Sequence, residues 1–479
     1  MATSIQNVLY TSLTSLDVTQ QQINILSNNI ANANTPGYVQ QSLQTAEQIS
    51  NGVGVGVQAE SIQRMTNAAA AATANQANGT QAYSQEMVNV LTNYTNVLGQ
   101  ASDSGSLPSM LSALGSQLTT LSATPGDTTA QEQVVSAAQG VVNTFHGLDS
   151  AIDSAREQAD QGIASGVASV NTTLNQLAQN QTAMQTAQAS GGSIASYQDT
   201  QDQLVASLAK QLPVKVFQGG TTGLVVTTDQ GTTLFDGQVH ALSFSATPNI
   251  TSATGSLSAV TVDNQPIQMS QSGSIAADLQ LRDVTLPGFA NQLDSLAGNL
   301  ITSFQAADPT ASSSNQPGLF TDAGAMPPSS GSTTDLAGSI ALNAAVDPAK
   351  TGNNPARIQS GMYVSPTSST ASDNTTILNL INALQQPSST SGSGQPSTSI
   401  LDDASQMAGS QQAQLSNWTS VNTGNTAQAQ TATTALSNAT GVNIDDQLQQ
   451  LMTLEHTYSA SAQVMQAASS MLNQLIQAV

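Results

Sequence analysis

Apolar residues near the N-terminus recur every seven positions, at Ala2, Leu9, Leu16, Ile23 and Ile30, with Ile5, Leu26 and Ala33 at the partner spacing. Such a repeat is the a/d seam of a helix that packs along another helix. Ser12 and Thr19 interrupt it. Thr3 and Gln6 can form a capping box at its start. Asn34, Thr35, Pro36 and Gly37 end it, because proline cannot continue a helix and glycine turns the chain readily. The spacing predicts a helix of about 30 residues, roughly 45 Å long.

The other end repeats the device. Ile444, Leu451, Tyr458, Met465, Leu472 and Val479 are successive apolar positions seven apart, and Leu448, Ala462 and Ile476 fill partner positions. Asn443 stands as the N-cap, and Asp445 and Asp446 fall in the first turn, where carboxylates favour the helix dipole. A strict seven-residue repeat predicts a left-handed supercoil with another helix. The pattern by itself also fits a core helix of a globular bundle.

Between these ends the period changes twice. Gly-Val-Gly-Val-Gly-Val at 52–57 reads as a short extended segment or hairpin and lacks the spacing of a dinucleotide-binding loop. Helical pattern covers about 64–98, 107–121, and then 134–152, where Val134, Ala138, Val141, Phe145, Leu148 and Ile152 mark one face. Thr124-Pro125-Gly126-Asp127 breaks the last two, and Leu174 and Leu177 carry the pattern on until Gly191-Gly192. From Pro213, short β-rich runs (Val214 and Val216, 224–226, 234–235, Leu242 and Phe244, Val260 and Val262) alternate with turns at Gly219-Gly220, 229–231 and Asp236-Gly237. Phe289, Leu293, Leu296, Leu300 and Phe304 form a further helical stripe. Residues 307–335 and 387–399 are loop-like in composition, with a mixed segment between them, and helical pattern resumes from Leu401.

The expected fold is therefore mainly α, with the N- and C-terminal helices paired as a coiled coil and a small antiparallel β domain inserted. The expected division is 1–50 with 441–479 as a terminal helical unit, and 51–212 with 276–306 and 400–440 as a helical bundle. Residues 213–275 form the β insertion, and 307–399 a loop-rich segment, outer or bundle-associated.

Charge sharpens this picture. The chain of 479 residues carries 7 Lys and Arg against 29 Asp and Glu, net −22. Asp17 is the only acid in residues 1–46, and Asp445, Asp446 and Glu455 are those of 444–479; neither stretch has a base. Long, nearly neutral amphipathic helices can pack on many copies of themselves without like-charge repulsion, while a charged middle keeps the particle soluble. Their seams are too polar for stability alone, so they are expected to order when neighbours cover them. The pattern points to a polymer subunit with both termini inside. The packing residues expected are Ile5, Leu9, Leu16, Ile23, Leu26 and Ile30, with Ile444, Leu448, Leu451, Tyr458, Met465, Leu472 and Ile476.

The same composition disfavours other roles. So acidic a chain does not grip a phosphate backbone or an anionic membrane, and no apolar run approaches the roughly 20 residues that cross a bilayer. With no cysteine, thiolate nucleophiles and Cys-based metal sites are excluded. The first base is Arg64, so the positive region of a secretory signal peptide is missing and any export uses another route. His146, His240 and His456 stand alone, without metal-ligand spacing, and read as structural. Asp402-Asp403 and Asp445-Asp446 are more simply capping groups than a catalytic pair. Trp418 reads as packing, and no Walker loop, nucleophile elbow or zincin motif occurs. No catalytic residue, metal or cofactor is expected.

Residues 12–41, SLTSLDVTQQQINILSNNIANANTPGYVQQ, resemble the N-terminal motif of bacterial flagellar rod, hook and hook-associated proteins. The specific part is Asn28, Asn29, Ile30, Ala31 and Asn32, then Thr35, Pro36, Gly37 and Tyr38. Residues 441–476 are similar to the C-terminal motif of the same proteins. Stretches 107–145, 199–216 and 272–300, and more loosely 372–384, resemble the interior of the hook-associated protein 1 family. Departures fall at Gln201, where the family often has Arg, at Gln305-Ala306-Ala307, and at Glu455-His456 in place of paired Gln.

The resemblance implies a structural subunit. Its terminal helices would line an inner tube around the export channel, the bundle would form a second shell, and the β unit would lie outside. Copies would form a ring with the hook protein on one side and the next hook-associated junction protein on the other. Export would run through the flagellar type III apparatus to an extracellular flagellum, with a cytoplasmic chaperone on the C-terminal helix. Another axial protein, such as a hook, distal-rod or second junction protein, or an adhesin or hydrolase on an axial scaffold, are the alternatives.

Overall fold

The computed structural model describes residues 2–50, 53–219, 223–251, 254–326, 335–366, 372–387 and 398–477. Helix α1 (Ala2–Asn32) is followed by a hairpin of β1 (Gln41–Ser50) and β2 (Val53–Arg64). Bundle helices α2 (Ala68–Leu98), α3 (Leu107–Ala123), α4 (Thr128–Ala189) and α5 (Ala195–Gln211) come next. The predicted break before α4 is its cap: Asp127 accepts from the Thr129 and Ala130 N–H groups. From there α4 runs unbroken for 62 residues, roughly 90 Å.

The β insertion holds two small antiparallel sheets rather than one. Strands β3 (Val214–Gly219), β4 (Gly223–Thr228) and β5 (Thr233–Phe235) pair in order, with Val216 opposite Val226 and Val226 opposite Phe235. Strands β6 (Leu242–Ser243), β7 (Thr261–Val262) and β8 (Gln265–Pro266) form the second. Asp263 and Asn264 turn β7 into β8 with φ of 50° and 63°, the left-handed pair that a two-residue hairpin turn requires. Alternate residues of β4 are buried, and Leu224, Val226, Leu234 and Phe235 share a core with Ile163, Val167, Val170, Leu174 and Leu177 of α4 and with Val205 and Leu208 of α5. The β unit therefore sits on the second half of α4.

The first half of α4 belongs to the main core. There Val134, Phe145 and Ile152 pack with Met87 and Leu91 of α2, the leucines of α3, and Phe289, Leu300 and Phe304 of α7 (Leu286–Ala307). Helix α6 (Ser274–Gln280) joins α7 through a π-helical turn at Leu281–Thr285. The segment expected to be loop-rich is bundle-associated. Its pieces α8 (Pro309–Ser314), β9 (Phe320–Asp322), α9 (Leu336–Ser339), β10 (Ile340–Leu342), α10 (Arg357–Ser360) and α11 (Thr375–Gln385) place Phe320, Leu336, Ile340, Ile358, Ile377 and Leu380 in the same core. Scattered apolar residues in short elements carry no periodicity, which hid this packing. Helix α12 (Ile400–Thr440) then runs back antiparallel to α2, through Tyr94–Gln411, Tyr83–Trp418 and Ser84–Asn422 contacts, and α13 (Ile444–Gln477) returns to α1.

One boundary is corrected. The division at residue 50 cuts the hairpin, whose register runs from Gln41 opposite Arg64 to Ser50 opposite Val53. Both strands lie against α1, so the terminal unit extends to Arg64. The strand at 41–50 is polar on both faces, so alternation did not reveal it. Gly52, Gly220, Val479 and most of 387–399 lie outside the described residues.

Asp278 of α6 is 3% exposed, its Oδ1 has no hydrogen-bond partner among the described residues, and Gly162 of α4 packs on the carboxyl. Burial, then the charge of Glu86, pushes its pKa up to about 8. The folded protein thus holds a proton that the unfolded chain releases near pH 4, so this group lowers stability as pH rises from 4 to 8. Asp278→Asn keeps the shape and removes the charge. It is expected to raise stability at pH 7.5 by about 1–3 kcal/mol and leave it unchanged near pH 4. Urea titrations at both pH values read the difference directly.

Candidate functional site

The two ends of the chain come together. Asn29 meets Gln447 and Ser15 meets Ser461, so α1 and α13 run antiparallel in a fixed register. The seam on α1 passes through Ile5, Leu9, Leu16, Ile23 and Ile30, all half-buried, and Leu26, which is buried. Ser12 and Thr19, the apparent interruptions, are buried seam positions too. Small hydroxyl residues there let the helices approach, and Thr19 returns its hydroxyl hydrogen bond to the Ser15 carbonyl.

On α13 the seam against α1 takes up only some of the expected positions. Leu451, Met465 and Leu472 are half-buried, but their partners are Gln447, Leu454, Ser461 and Ala468, four positions before or three after, not Leu448 and Ile476. Ile444 (39%), Leu448 (44%), Tyr458 (40%) and Ile476 (67%) are exposed, as are Met452, Val464 and Met471. Polar or small residues (Gln447, Ser461, Ala468) take the packed positions there, and larger apolar neighbours face outward. On α1 a second stripe, Thr11, Thr14, Val18 and Ile25, runs beside the expected seam. The Thr11 hydroxyl donates to the Val55 carbonyl and the Val57 N–H donates to Thr14, which hold the hairpin along this face, and Val18 and Ile25 are buried.

The Asn-rich motif is the joint of this unit. Asn29 is fully buried and uses its whole amide. Its Nδ2 donates to the Gln41 carbonyl (2.8 Å) and to Gln447 Oε1 (2.8 Å), and its Oδ1 accepts from the Tyr38 hydroxyl (2.8 Å) and the Gln41 N–H (3.1 Å). One side chain thereby ties α1, α13, the loop and the first residue of β1. Burial and the Asp199 carboxylate push the Tyr38 hydroxyl above the usual tyrosine range, so it stays a donor. Asn32 and Thr35 build the turn: Asn32 donates to the Asn28 carbonyl, and Thr35 bonds Asn32 through its hydroxyl and its N–H. Asn28 and Ala31 are exposed.

This joint is braced against the bundle. Arg64, at the end of β2, bonds Asp199 (2.7 Å) and Asp202 of α5. Gln203 donates to the Pro36 carbonyl at 3.1 Å. Gly37 sits at φ 79°, and a Cβ there would lie 2.5 Å from Gln203 Nε2. Gly37→Ala therefore meets both backbone strain and a collision, about 1–2 kcal/mol. Roughly tenfold faster proteolysis of the joint, with the bundle's melting unchanged, is the expected result.

Among the described residues, no other cluster competes as a site. His146 bonds the Ile340 carbonyl, His240 lies between Asp236 and Asp263, and His456 is exposed. Among the described residues, no group of three His, Asp or Glu is placed to hold a metal ion, and no helix is long and apolar enough to cross a membrane. At the departures from the family pattern, buried Gln201 donates to Gln181 at 2.7 Å, Gln305 is half-buried, and Glu455 and His456 face outward.

Three family models match the chain. The flagellar hook-associated protein FlgK helical domain covers residues 91–318, the flagella basal body rod protein model residues 9–38, and the flagellar basal body rod FlgEFG protein C-terminal model residues 435–478. Among similar proteins, flagellar hook-associated protein 1 of Bacillus subtilis is 24% identical over 98% of this chain and 97% of its own length. That of Salmonella typhimurium is 29% identical over 62% of this chain and 55% of its own length, and that of Escherichia coli 26% over 61% and 55%. The chain thus spans about half the length of these last two relatives. A solved structure of the flagellar hook junction protein FlgK from Burkholderia pseudomallei is similar with a TM-score of 0.45 and 18% identity, over 52% of this chain and 46% of that one. With the FlgK helical-domain match set between the two axial-protein matches, and the relatives named flagellar hook-associated protein 1, the chain is similar to that family, structural proteins of the hook–filament junction.

Proposed function

We propose that the chain acts as a ring subunit, its rod of α1 and α13 packed against the rods of neighbouring copies, with hook protein on one side and the next hook-associated junction protein on the other. The observation that carries this reading is the apolar surface left exposed on both flanks of the α13 seam after α1 has packed: Leu448 and Met452 on one side, Val464 and Met471 on the other. Leu9, Leu16, Ile23 and Leu26, with Leu451, Met465 and Leu472, then build the rod itself, and Ile444, Leu448, Tyr458 and Ile476 meet neighbours. Specificity would come from shape, because the rod has almost no charge. No catalytic role is proposed.

Export through the flagellar type III apparatus fits the neutral N-terminal helix. The same exposed flanks of α13 suit a cytoplasmic chaperone before export, since both partners would cover one apolar surface at different times. A strain lacking this chain is expected to make hooks without filaments, and the full chain to restore them. Filaments that still form in its absence would refute the reading. Assembled rings are further expected to resist moderate salt, because apolar contacts are not screened.

A further inference from the structure

Carboxyls from three elements meet where α9 lies on the bundle. Asp149 and Asp153 stand one turn apart on α4, Asp294 comes from α7, and Asp335 directly precedes α9. Asp149 is 7% exposed, and its Oδ1 has no hydrogen-bond partner among the described residues. Gly338 marks where this carboxyl points. A Cβ there would lie 2.7 Å from Asp149 Oδ2 and 2.4 Å from Asp335 Oδ1, so the two carboxyls crowd one point against α9. Asp294, also buried, has its charge met by the backbone: it accepts from the Asp335 and Ala337 N–H groups, each at 2.9 Å.

The other charges nearby are engaged elsewhere. On α4, His146 donates from Nε2 to the Ile340 carbonyl, and Arg156 bonds the carbonyls of Arg282 and Thr251 while facing Asp153 and Asp283. Helix α7 contributes only Asp294, α3 and β10 carry no charge, and Glu86 of α2 faces Asp278. Asp322 of β9 accepts from the Ser339 hydroxyl. Burial, then the charges of Asp153, Asp335 and Asp294, pushes the pKa of Asp149 up to about 7.

We propose that Asp149 is a proton-operated latch: α9 and β10 dock on α4 and α7 while it carries a proton, and open more often once that proton leaves. Protonated, it adds no charge beside Asp335; ionised, it sets a second carboxylate against the same point in a site shielded from water. Opening α9 returns Asp149 to solvent, where it ionises near pH 4. The docked form therefore holds a proton that the open form releases. Docking is strongest below pH 4 and weakens by up to about tenfold per unit as pH rises toward 7, with no further loss above it. Leu336, Ala337 and Ile340 stay core residues in the docked form at any pH, so what changes is the frequency of opening. The latch needs no assembly and is independent of the ring-subunit reading.

Hydrogen exchange in the full chain, at pH 5 and pH 7.5 and corrected for the intrinsic rate, tests this. Protection of 336–342 in the wild type is expected to fall by about tenfold or more between the two. Asp149→Asn keeps the shape without the charge and is expected to keep its protection at both. Asp278 is the same in the two chains, so its own titration cancels. No fall in the wild type, or an equal fall in Asp149→Asn, would overturn the latch. Where Asp149→Asn does not fold, Asp335→Asn decides, since asparagine tolerates the left-handed φ of 70° at that position. Removing this acid is expected to shrink the fall by about threefold or more, and an unchanged fall would refute the proposal.

Discussion

A chain carrying Val464→Asp and Met471→Asp is expected to fold like the wild type and to leave cells without filaments. The two residues are seven apart on one stripe of α13, 48% and 51% exposed, and neither belongs to the seam on α1. Exposed substitutions of this kind cost a folded monomer about 0.5 kcal/mol or less. In a ring the same positions would meet a neighbour. Each interface would then bury two carboxylates with no base within 444–479 to pair them, and an unpaired buried charge costs several kcal/mol. Repeated around the ring, that loss takes assembly below detection. The expected result is an unchanged melting curve, hooks without filaments, and the variant free in the culture medium. Retention of the variant inside the cell would move the defect to export, and normal filaments would show that this stripe does not meet other copies. Removing 444–479 altogether is the blunter form of the experiment, since it also strips α1 of its partner; the bundle is still expected to fold.

The features legible in the sequence were those with a period. Heptads marked α1 and α13, and changes of period marked the β insertion. Glycine and proline marked the breaks, with Gly191 at φ 75° beyond α4. What stayed hidden lacks a period. The polar hairpin at 41–64 is held by its pairing and by Thr11 and Thr14, not by a hydrophobic face. Gln447 is buried because Asn29 needs an acceptor there, which no pattern of apolar residues announces. The motif around Asn29 was visible only by resemblance, and its role as a four-bond joint became visible only in three dimensions. One further signal lies in the bases. In a chain with seven bases, each arginine is suspect as a structural element. Arg64, Arg156, Arg282 and Arg357 all bond within the fold, whereas the three lysines, Lys210, Lys215 and Lys350, are exposed.

Arg282 is where that signal predicts the largest loss of stability. It sits in the π-helical turn between α6 and α7, where the extra residue of the wider turn re-aims a side chain. Its guanidinium is 1% exposed, donates to Asp160 of α4 at 2.7 Å, to both oxygens of Asp283 at 2.8 and 2.9 Å, and to the Ser258 carbonyl at 2.9 Å, and lies 5.6 Å from the Phe244 ring. Asp160 in turn accepts from the Thr247 N–H, and Arg156 bonds the carbonyls of Arg282 and Thr251. Three charges thus hold the loop after β6 onto the bundle. Arg282→Ala leaves Asp160, itself 1% exposed, charged and without its cation. The expected cost is about 3–5 kcal/mol, read as a lower urea midpoint and as faster hydrogen exchange across 242–262. Arg282→Lys keeps the charge but not the fork that spans Asp160 and Asp283, so it should recover only part of the loss. The decisive variant is Arg282→Met with Asp160→Asn: if the single loss comes from a stranded carboxylate, the double variant is more stable than Arg282→Ala, and a sum of the two single effects would show that the guanidinium acts by packing alone.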